Sequence, residues 1–314
     1  MIDPPVVTVT LNPAIDQTLS IPGFAAGRVN RVAASRSDAG GKGVNVACVL
    51  ADLGLDVVAT GFLGSDNTVL FETLFERKRI ADRFVRIPGC TRVGLKIVDD
   101  ETHQTTDINF PGLTPTAEAV AELLDQIASL VVPGGWFVLS GSLPAGAPDG
   151  LYATLIDAIH DQGGGVVLDT SGRALREALA SAPEVMKPNV DELSELAGRA
   201  LDTPAAVRAA AESLLDRGVE RVVVSMGAEG ALFVDRDKAL LARPPRVTVR
   251  STVGAGDAMV AGIVYATLYD LPLEDVARTA TASGAYAVTR IGAGIEDQAE
   301  HRKLAEQVEI ETFS

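Results

Sequence analysis

The amino-acid sequence predicts an α/β fold: a mostly parallel central sheet with helices on both faces, plus a small β lid. Three observations carry this. Short β-branched runs alternate with helix-length segments along the chain, the order that builds a parallel sheet covered on both sides. The Gly- and Ser-rich segments SGSLP, DTSG, MGAEG and GAGD each come after a strand-like run. They are therefore expected to gather beyond the carboxyl edge of the sheet, where ligands bind in such folds. Two pairs of short segments with polar faces interrupt the alternation. They read as insertions whose free edges suit pairing with another copy.

Val6 to Leu11 is a buried strand that turns at Asn12-Pro13. Thr18 to Ile21 and Val29 to Ser37 form the first exposed pair around GFAAG. A helix opens at GGKGVN, runs to Leu53 and stops at Gly54. Val57–Phe62 is a strand, 66–79 a helix and Arg83–Ile87 a strand. Arg92 to Val98 and Gln104 to Phe110 pair across DDETH. Helices over 115–130, 151–161 and 173–180 then alternate with strands over 136–139 and 165–168. Glu184 to Met186 leads into KPNVDEL, which opens a helix after Asn189. A helix over 205–217, strands over 221–225 and 231–234, and helices over 258–268, 273–289 and from Gln298 complete the chain. No linker or repeat divides it, so residues 1–314 read as one domain, with the lid inserted from about 14–38 and 90–112.

Composition narrows the function. Hydrophobic residues at 47% supply a large core, and aromatics at 4% make that core aliphatic. A net charge of −15 argues against nucleic acid or an anionic membrane as partner, so cations facing a phosphorylated ligand must be placed locally. Cys48 and Cys90 lack metal spacing and fit a reducing, cytoplasmic setting. The opening MIDPPVVTVTLNP does not read as a signal peptide, and no apolar run is long enough to span a membrane. His103, His160 and His301 are isolated and read as surface or packing residues. Walker A, dinucleotide GxGxxG and GxSxG patterns are absent.

The chemistry centres on STVGAGDAMVAG, 251–262. Glycines lead into a helix start whose free amides and dipole suit an anion. Asp257 would repel a phosphate, but it suits a hydroxyl that must lose its proton beside a transferring phosphoryl group. A plain Gly-rich turn with Asp257 as helix cap is equally compatible with this stretch alone. In AGGKGVN, backbone amides, Lys42 and Asn45 can hold a sugar and a phosphate, or form a solvated turn. Asp16 can accept two sugar hydroxyls or cap a turn. Asn189 and Glu192 can orient the waters of a phosphate-bound Mg²⁺, or close a capping box, or both. Ser225 to Gly230 can lie against a nucleotide or make a hairpin turn.

Together these ordered motifs resemble the ribokinase/phosphofructokinase-B family of sugar kinases. STVGAGDAMVAG matches one family signature, GGKGVNVACVLADLG approaches the other, and KPNVDEL matches its NxxE element. Ala258 departs from the serine that commonly follows the GAGD aspartate. NPAID, GGKGVN, GFLGSDN, TRVGLK, TDINFPG and SGSLPAG are most similar to the branch acting on fructose 1-phosphate. Branches acting on tagatose 6-phosphate or fructose 6-phosphate share several of these, but the last has glycine at the position of Lys42. The resemblance implies a ribokinase-like fold and ATP and Mg²⁺ as cofactors. It implies Asp257 as base and the amides of Gly254, Ala255 and Gly256 as anion hole. Asp16, Gly41 and Asn45 would hold sugar hydroxyls, and Lys42, Arg92 and Ser142 the existing phosphate. Arg28 would reach a phosphate across the lid. Lys187, Asn189, Ser225, Gly227, Gly230 and Thr252 would line the ATP side, with Glu192 and Asn189 on hydrated Mg²⁺. A homodimer through the lid is expected. A sugar-phosphate sensor without turnover is the alternative from another class.

Overall fold

The structure is a computed structural model that describes residues 5–99, 101–102 and 104–313. His103, part of the DDETH turn and the first four residues lie outside the described residues. The first strand, β1 (Val6–Thr10), is buried along its whole length. After it come β2 (Ala14–Ser20), β3 (Ala34–Gly40), α1 (Lys42–Asp52), β4 (Val57–Gly64), α2 (Val69–Lys78) and β5 (Ala81–Ile87). The middle of the chain forms β6 (Val93–Asp99), β7 (Gln104–Asn109), α3 (Ala117–Leu130), β8 (Trp136–Ser140), α4 (Leu151–His160), β9 (Gly165–Asp169) and α5 (Gly172–Ala178). Then follow β10 (Val185–Met186), α6 (Val190–Ala197), α7 (Pro204–Leu215), β11 (Arg221–Ser225), β12 (Ala231–Val234) and β13 (Ala239–Arg243). The chain closes with α8 (Ala255–Leu268), α9 (Leu273–Val288), α10 (Gln298–Glu306) and β14 (Glu309–Thr312).

The central sheet has the order β14-β13-β12-β11-β10-β9-β8-β1-β4-β5. From β11 to β5 every pairing is parallel, and β12, β13 and β14 add an antiparallel edge. Strand order reverses at β1, which has β4 on one side and β8 on the other. A crevice opens at such a switch point, beyond the carboxyl ends of the strands. Aliphatic side chains fill both faces of the sheet. One layer packs under α1, α2, α8, α9 and α10, the other under α3 to α7. α8 is apolar all round because it sits inside its layer, with Ala258, Val260, Ala261, Ile263 and Val264 at 0–1% exposure.

The two exposed strand pairs merge into one four-stranded sheet, β3-β2-β6-β7, in which β2 and β6 run parallel. The first pair sits further apart in sequence than the reading placed it. Val29 and Val32 belong to the connecting segment, at 85% and 50% exposure, and β3 begins only at Ala34. β13 and β14 carry no readable strand pattern in the sequence. β13 is five residues pressed between a charged turn and a Pro-Pro pair, and β14 is an edge strand whose exposed charged residues hide the alternation. Residues 244–253 therefore intervene between β13 and GAGD, which does not follow a strand directly.

One glycine fixes how closely α1 approaches β1. A Cβ at Gly43 would stand 2.4 Å from Thr10 Oγ1 and 2.9 Å from the Val9 carbonyl oxygen. Gly43→Ala is expected to push α1 outward and cost about 1–3 kcal/mol in denaturant unfolding, as overpacked sites do. An unchanged unfolding midpoint would contradict this packing.

Candidate active site

The switch point brings five strand ends together. Asn12 follows β1, Gly141 and Ser142 follow β8, Asp169 ends β9, Lys187 follows β10 and Ser225 ends β11. Against them come the starts of α1, α6 and α8. A cavity of about 450 Å³ results, lined by Asp16, Gly41, Lys42, Asn45, Arg92, Asp169, Lys187, Asn189, Glu192, Ser225, Gly254, Gly256 and Asp257. An adjoining apolar cavity of about 650 Å³ continues along Ser225, Gly227, Gly230, Thr252, Ala255 and Gly256, walled by Val247, Met259 and Val288.

α8 begins at Gly254, whose left-handed φ of 82° glycine adopts without strain. Of the amides expected to form the anion hole, that of Ala255 donates to the Thr252 carbonyl at 3.4 Å, whereas Gly256, and Asp257 after it, have no intrahelical acceptor, as at every helix start. Lys187 comes from the side: a Cβ at Gly256 would stand 3.6 Å from its Nζ. Amides, helix dipole and ammonium thus meet at one point, which suits a highly charged anion. Asp257 is not the helix cap. It lies in the first turn of α8, 7% exposed, and its Oδ2 accepts a bond from Asn45 Nδ2 at 2.7 Å. Burial, with the Asp169 charge added, pushes its pKa up to about 6, although Asn45, Lys42 and Lys187 act in the opposite direction. A carboxylate with that pKa is poised to take a proton near neutral pH.

Asp169 is the residue that sequence reasoning missed. It is 1% exposed and lies 3.2 Å from Lys42 Nζ and 3.3 Å from Lys187 Nζ. Burial opposes its ionisation, but Lys187 and Lys42 overcome this and hold it below the usual carboxylate range. Lys42 is held charged in turn: burial works against it, but Asp169, Asp257 and Glu192 raise its pKa. One carboxylate therefore aims two lysines, one toward each side of the cavity. Its only sequence signal was its place at a strand end, in DTSG.

On the sugar side, Asp16 sits in β2 with Lys96 Nζ at 3.3 Å. A Cβ at Gly40 or Gly94 would stand 2.6 or 2.9 Å from its carboxylate oxygens, so both flanking strands leave it room. Arg92 Nε donates to Asn12 Oδ1 at 3.1 Å, and Asn12 Nδ2 donates to Ser142 Oγ at 3.1 Å. Asn12, read as a turn residue, is thus the link between Arg92 and Ser142. Ser142 sits at the rim rather than in the cavity lining, and Arg28 lies in the segment between β2 and β3, outside both cavities. Asn189 caps α6 and Glu192 completes the capping box, at 2.8 and 2.9 Å. Both residues also line the cavity. The Ser225–Gly230 segment is a hairpin turn between antiparallel β11 and β12, and it also borders the second cavity.

Residues 5–300 match the pfkB family carbohydrate kinase family. The 1-phosphofructokinase of Rhodobacter capsulatus is 46% identical over 309 residues, 98% of each chain. That of Xanthomonas campestris is 50% identical over 281 residues, 88% of each chain. The phosphofructokinase-2 of Escherichia coli, solved in complex with fructose-6-phosphate, superposes with a TM-score of 0.90 at 31% identity, covering 96% of this chain and 98% of that one. Family match, sequence identity and overall superposition agree, and the chain belongs to the pfkB family of carbohydrate kinases.

Proposed function

We propose that this chain transfers the γ-phosphoryl group of ATP to the C6 hydroxyl of fructose 1-phosphate, giving fructose 1,6-bisphosphate and ADP. The observation that carries this is Asp257, buried with a raised pKa beside free amides and Lys187, in one cavity with Asp16 and Lys42. The names of the Rhodobacter and Xanthomonas relatives support the choice of sugar. So does Lys42, which stands where the branch acting on fructose 6-phosphate has glycine.

Asn45 occupies Oδ2 of Asp257, which leaves Oδ1 to receive the proton. As the C6 oxygen bonds to the γ-phosphorus, its proton passes to Asp257. The bond to the β–γ bridging oxygen breaks, and ADP leaves with its electron pair. The amides at the start of α8 and Lys187 hold the charge on the transferring group. Asp16 and Gly41 hold the sugar hydroxyls, with Asn45 orienting the base. Lys42, Arg92 and Ser142 hold the 1-phosphate, the last two tied through Asn12. The apolar cavity takes the nucleotide base, with Ser225, Gly227, Gly230 and Thr252 along its edge. Among the described residues no three carboxylate, His or Cys side chains cluster as direct metal ligands. Glu192 and Asn189, on the cavity wall, fit a Mg²⁺ held through its waters. When bound to ATP, the ion would neutralise phosphate charge.

The β3-β2-β6-β7 sheet would close over the sugar as a lid, excluding water that would otherwise hydrolyse ATP. Exposed apolar residues on the lid, Val29 and Val32 in the connection from β2 to β3, Ile108 in β7 and Phe110 just after it, suit a homodimer through this lid, which would bring Arg28 toward a partner's site.

Phosphoryl transfer by the purified protein to fructose 1-phosphate, fructose 6-phosphate and tagatose 6-phosphate tests the reading. The expected result is a kcat/KM highest for fructose 1-phosphate. A preference for either 6-phosphate would overturn the choice of sugar, and binding without turnover on all three would overturn the reaction. Lys42→Gly is expected to raise KM for fructose 1-phosphate about tenfold or more, because a charge-assisted contact to phosphate is lost. An unchanged KM would remove Lys42 from the phosphate site.

A further inference from the structure

A third cavity, of about 510 Å³, lies behind the active site between α2, β3 and the segment after α9. Five cationic side chains line it, Arg36, Arg77, Lys78, Arg250 and Arg290, against two carboxylates, Asp38 and Glu296. In a chain of net charge −15 such a concentration is unusual. Three of the cations are already partnered: Arg36 with Asp38 at 2.7 Å, Lys78 with Asp52 at 2.6 Å, and Arg290 with Glu300. Arg77 and Arg250 form no ion pair with any described residue. They stand on different elements, α2 and the approach to α8, so nothing in their own helix or strand accounts for their convergence.

Two walls of the pocket continue along the chain into the catalytic cavity, although the two linings share no residue. Arg36 and Asp38 belong to β3, which runs directly into Gly40, Gly41 and Lys42. Arg250 immediately precedes the Ser251–Gly254 segment, and its amide is bonded to the Val288 carbonyl at the end of α9, 2.7 Å away. Arg36 reaches across to the far wall: a Cβ at Gly292 would stand 3.5 Å from its Nη2. A dianion seated among Arg36, Arg77 and Arg250 would join the base strand of the lid to the approach of the anion hole.

We propose that this pocket is a second, regulatory site for a phosphate group, whether inorganic phosphate or a small phosphate monoester, and that its occupancy lowers KM for the sugar substrate. Arginine forks suit phosphate oxygens, and neutralising converging cations draws their elements together. The site itself does not depend on the proposed reaction. Only the kinetic arm uses it, and a failure of that reaction would appear as absent turnover, with or without the added anion.

The test is calorimetric titration of the full chain with inorganic phosphate and, separately, with glucose 6-phosphate. Fructose 1-phosphate, Mg²⁺ and a non-hydrolysable ATP analogue are kept saturating, so that the active site is filled. One additional binding event is expected in the wild type. Arg77→Ala and Arg250→Ala should each weaken it about tenfold, as loss of a charge-assisted contact to phosphate does. Arg77→Lys should retain most of it. Stronger binding of glucose 6-phosphate than of phosphate identifies a monoester site, and equal binding identifies a site for the phosphate group alone. In steady-state assays each anion should lower KM in the wild type but not in Arg77→Ala, whose kcat without added anion stays at the wild-type value. No additional binding event, or one that both alanine variants retain, overturns the site. Binding with an unchanged KM overturns its regulatory role.

Discussion

Asp257→Asn is expected to lower kcat by about 10² to 10⁴, the usual contribution of a positioned base, and at the same time to make the protein more stable. The two effects have one cause. Burial lifts the carboxyl from its ordinary 3.8 to about 6, so the folded state binds a proton that the unfolded state has released. The stability this proton confers is complete below about pH 3.8 and is lost as pH rises through about 6. At neutral pH the wild type therefore holds a buried charge at a cost of about 3 kcal/mol, taking about 1.4 kcal/mol per pK unit. Asparagine has the same shape, and its side-chain oxygen can still accept the bond from Asn45. It removes the charge and recovers much of that cost. Thermal unfolding at pH 7.5 should show the variant melting a few degrees higher, with the difference shrinking toward pH 4. Equal melting at both pH values would contradict the buried charge, and near-normal turnover would remove Asp257 from the base role. Active sites that hold strained charge commonly exchange stability for rate in this way.

Asp169→Asn is expected to have the opposite sign on stability. Lys187 is 4% exposed, and Asp169 is its ion-pair partner among the described residues, with Lys42 on the same carboxylate. Removing the charge leaves two buried or half-buried ammonium groups facing each other. Breaking a buried pair from one side costs about 3–5 kcal/mol, readable as a lowered denaturant midpoint. Asp169→Asn with Lys187→Met should recover part of that stability while kcat stays low, because an apolar replacement relieves the unpaired charge but cannot hold a phosphoryl group. If the single variant unfolds at the wild-type midpoint, the carboxylate is not what positions the lysines.

The sequence made the two ends of the reaction legible and left the link between them hidden. Gly254 to Asp257, GGKGVN and the Asn189–Glu192 pair stand out because glycines and spacing mark helix starts, and helix starts are local features. Alternating runs made the parallel strands readable for the same reason. Asp169 and Asn12 are different: each matters through partners far along the chain, Lys42 and Lys187 for one, Arg92 and Ser142 for the other. No spacing rule joins those positions; the sheet order does. Spacing alone is compatible with Asn189 and Glu192 as cap or as ligands of metal-bound water, and the folded chain shows the cap while placing both on the cavity wall. β14 was unreadable because a polar edge strand borrows its regularity from β13 rather than from its own side chains.

The pH dependence of kcat/KM for phosphoryl transfer from ATP to fructose 1-phosphate, in the wild type and in Asp169→Asn, tests the central claim most directly, because kcat/KM reports the groups of the free enzyme. The base must be ionised, so the wild-type kcat/KM should fall below pH about 6, the pKa to which Asp257 is raised. Asp169 contributes to that rise, so the acid limb of Asp169→Asn should move to lower pH. A wild-type kcat/KM that stays flat down to pH 4.5, or a limb that does not move when Asp169 loses its charge, would contradict the assignment of Asp257 as the group that takes the proton.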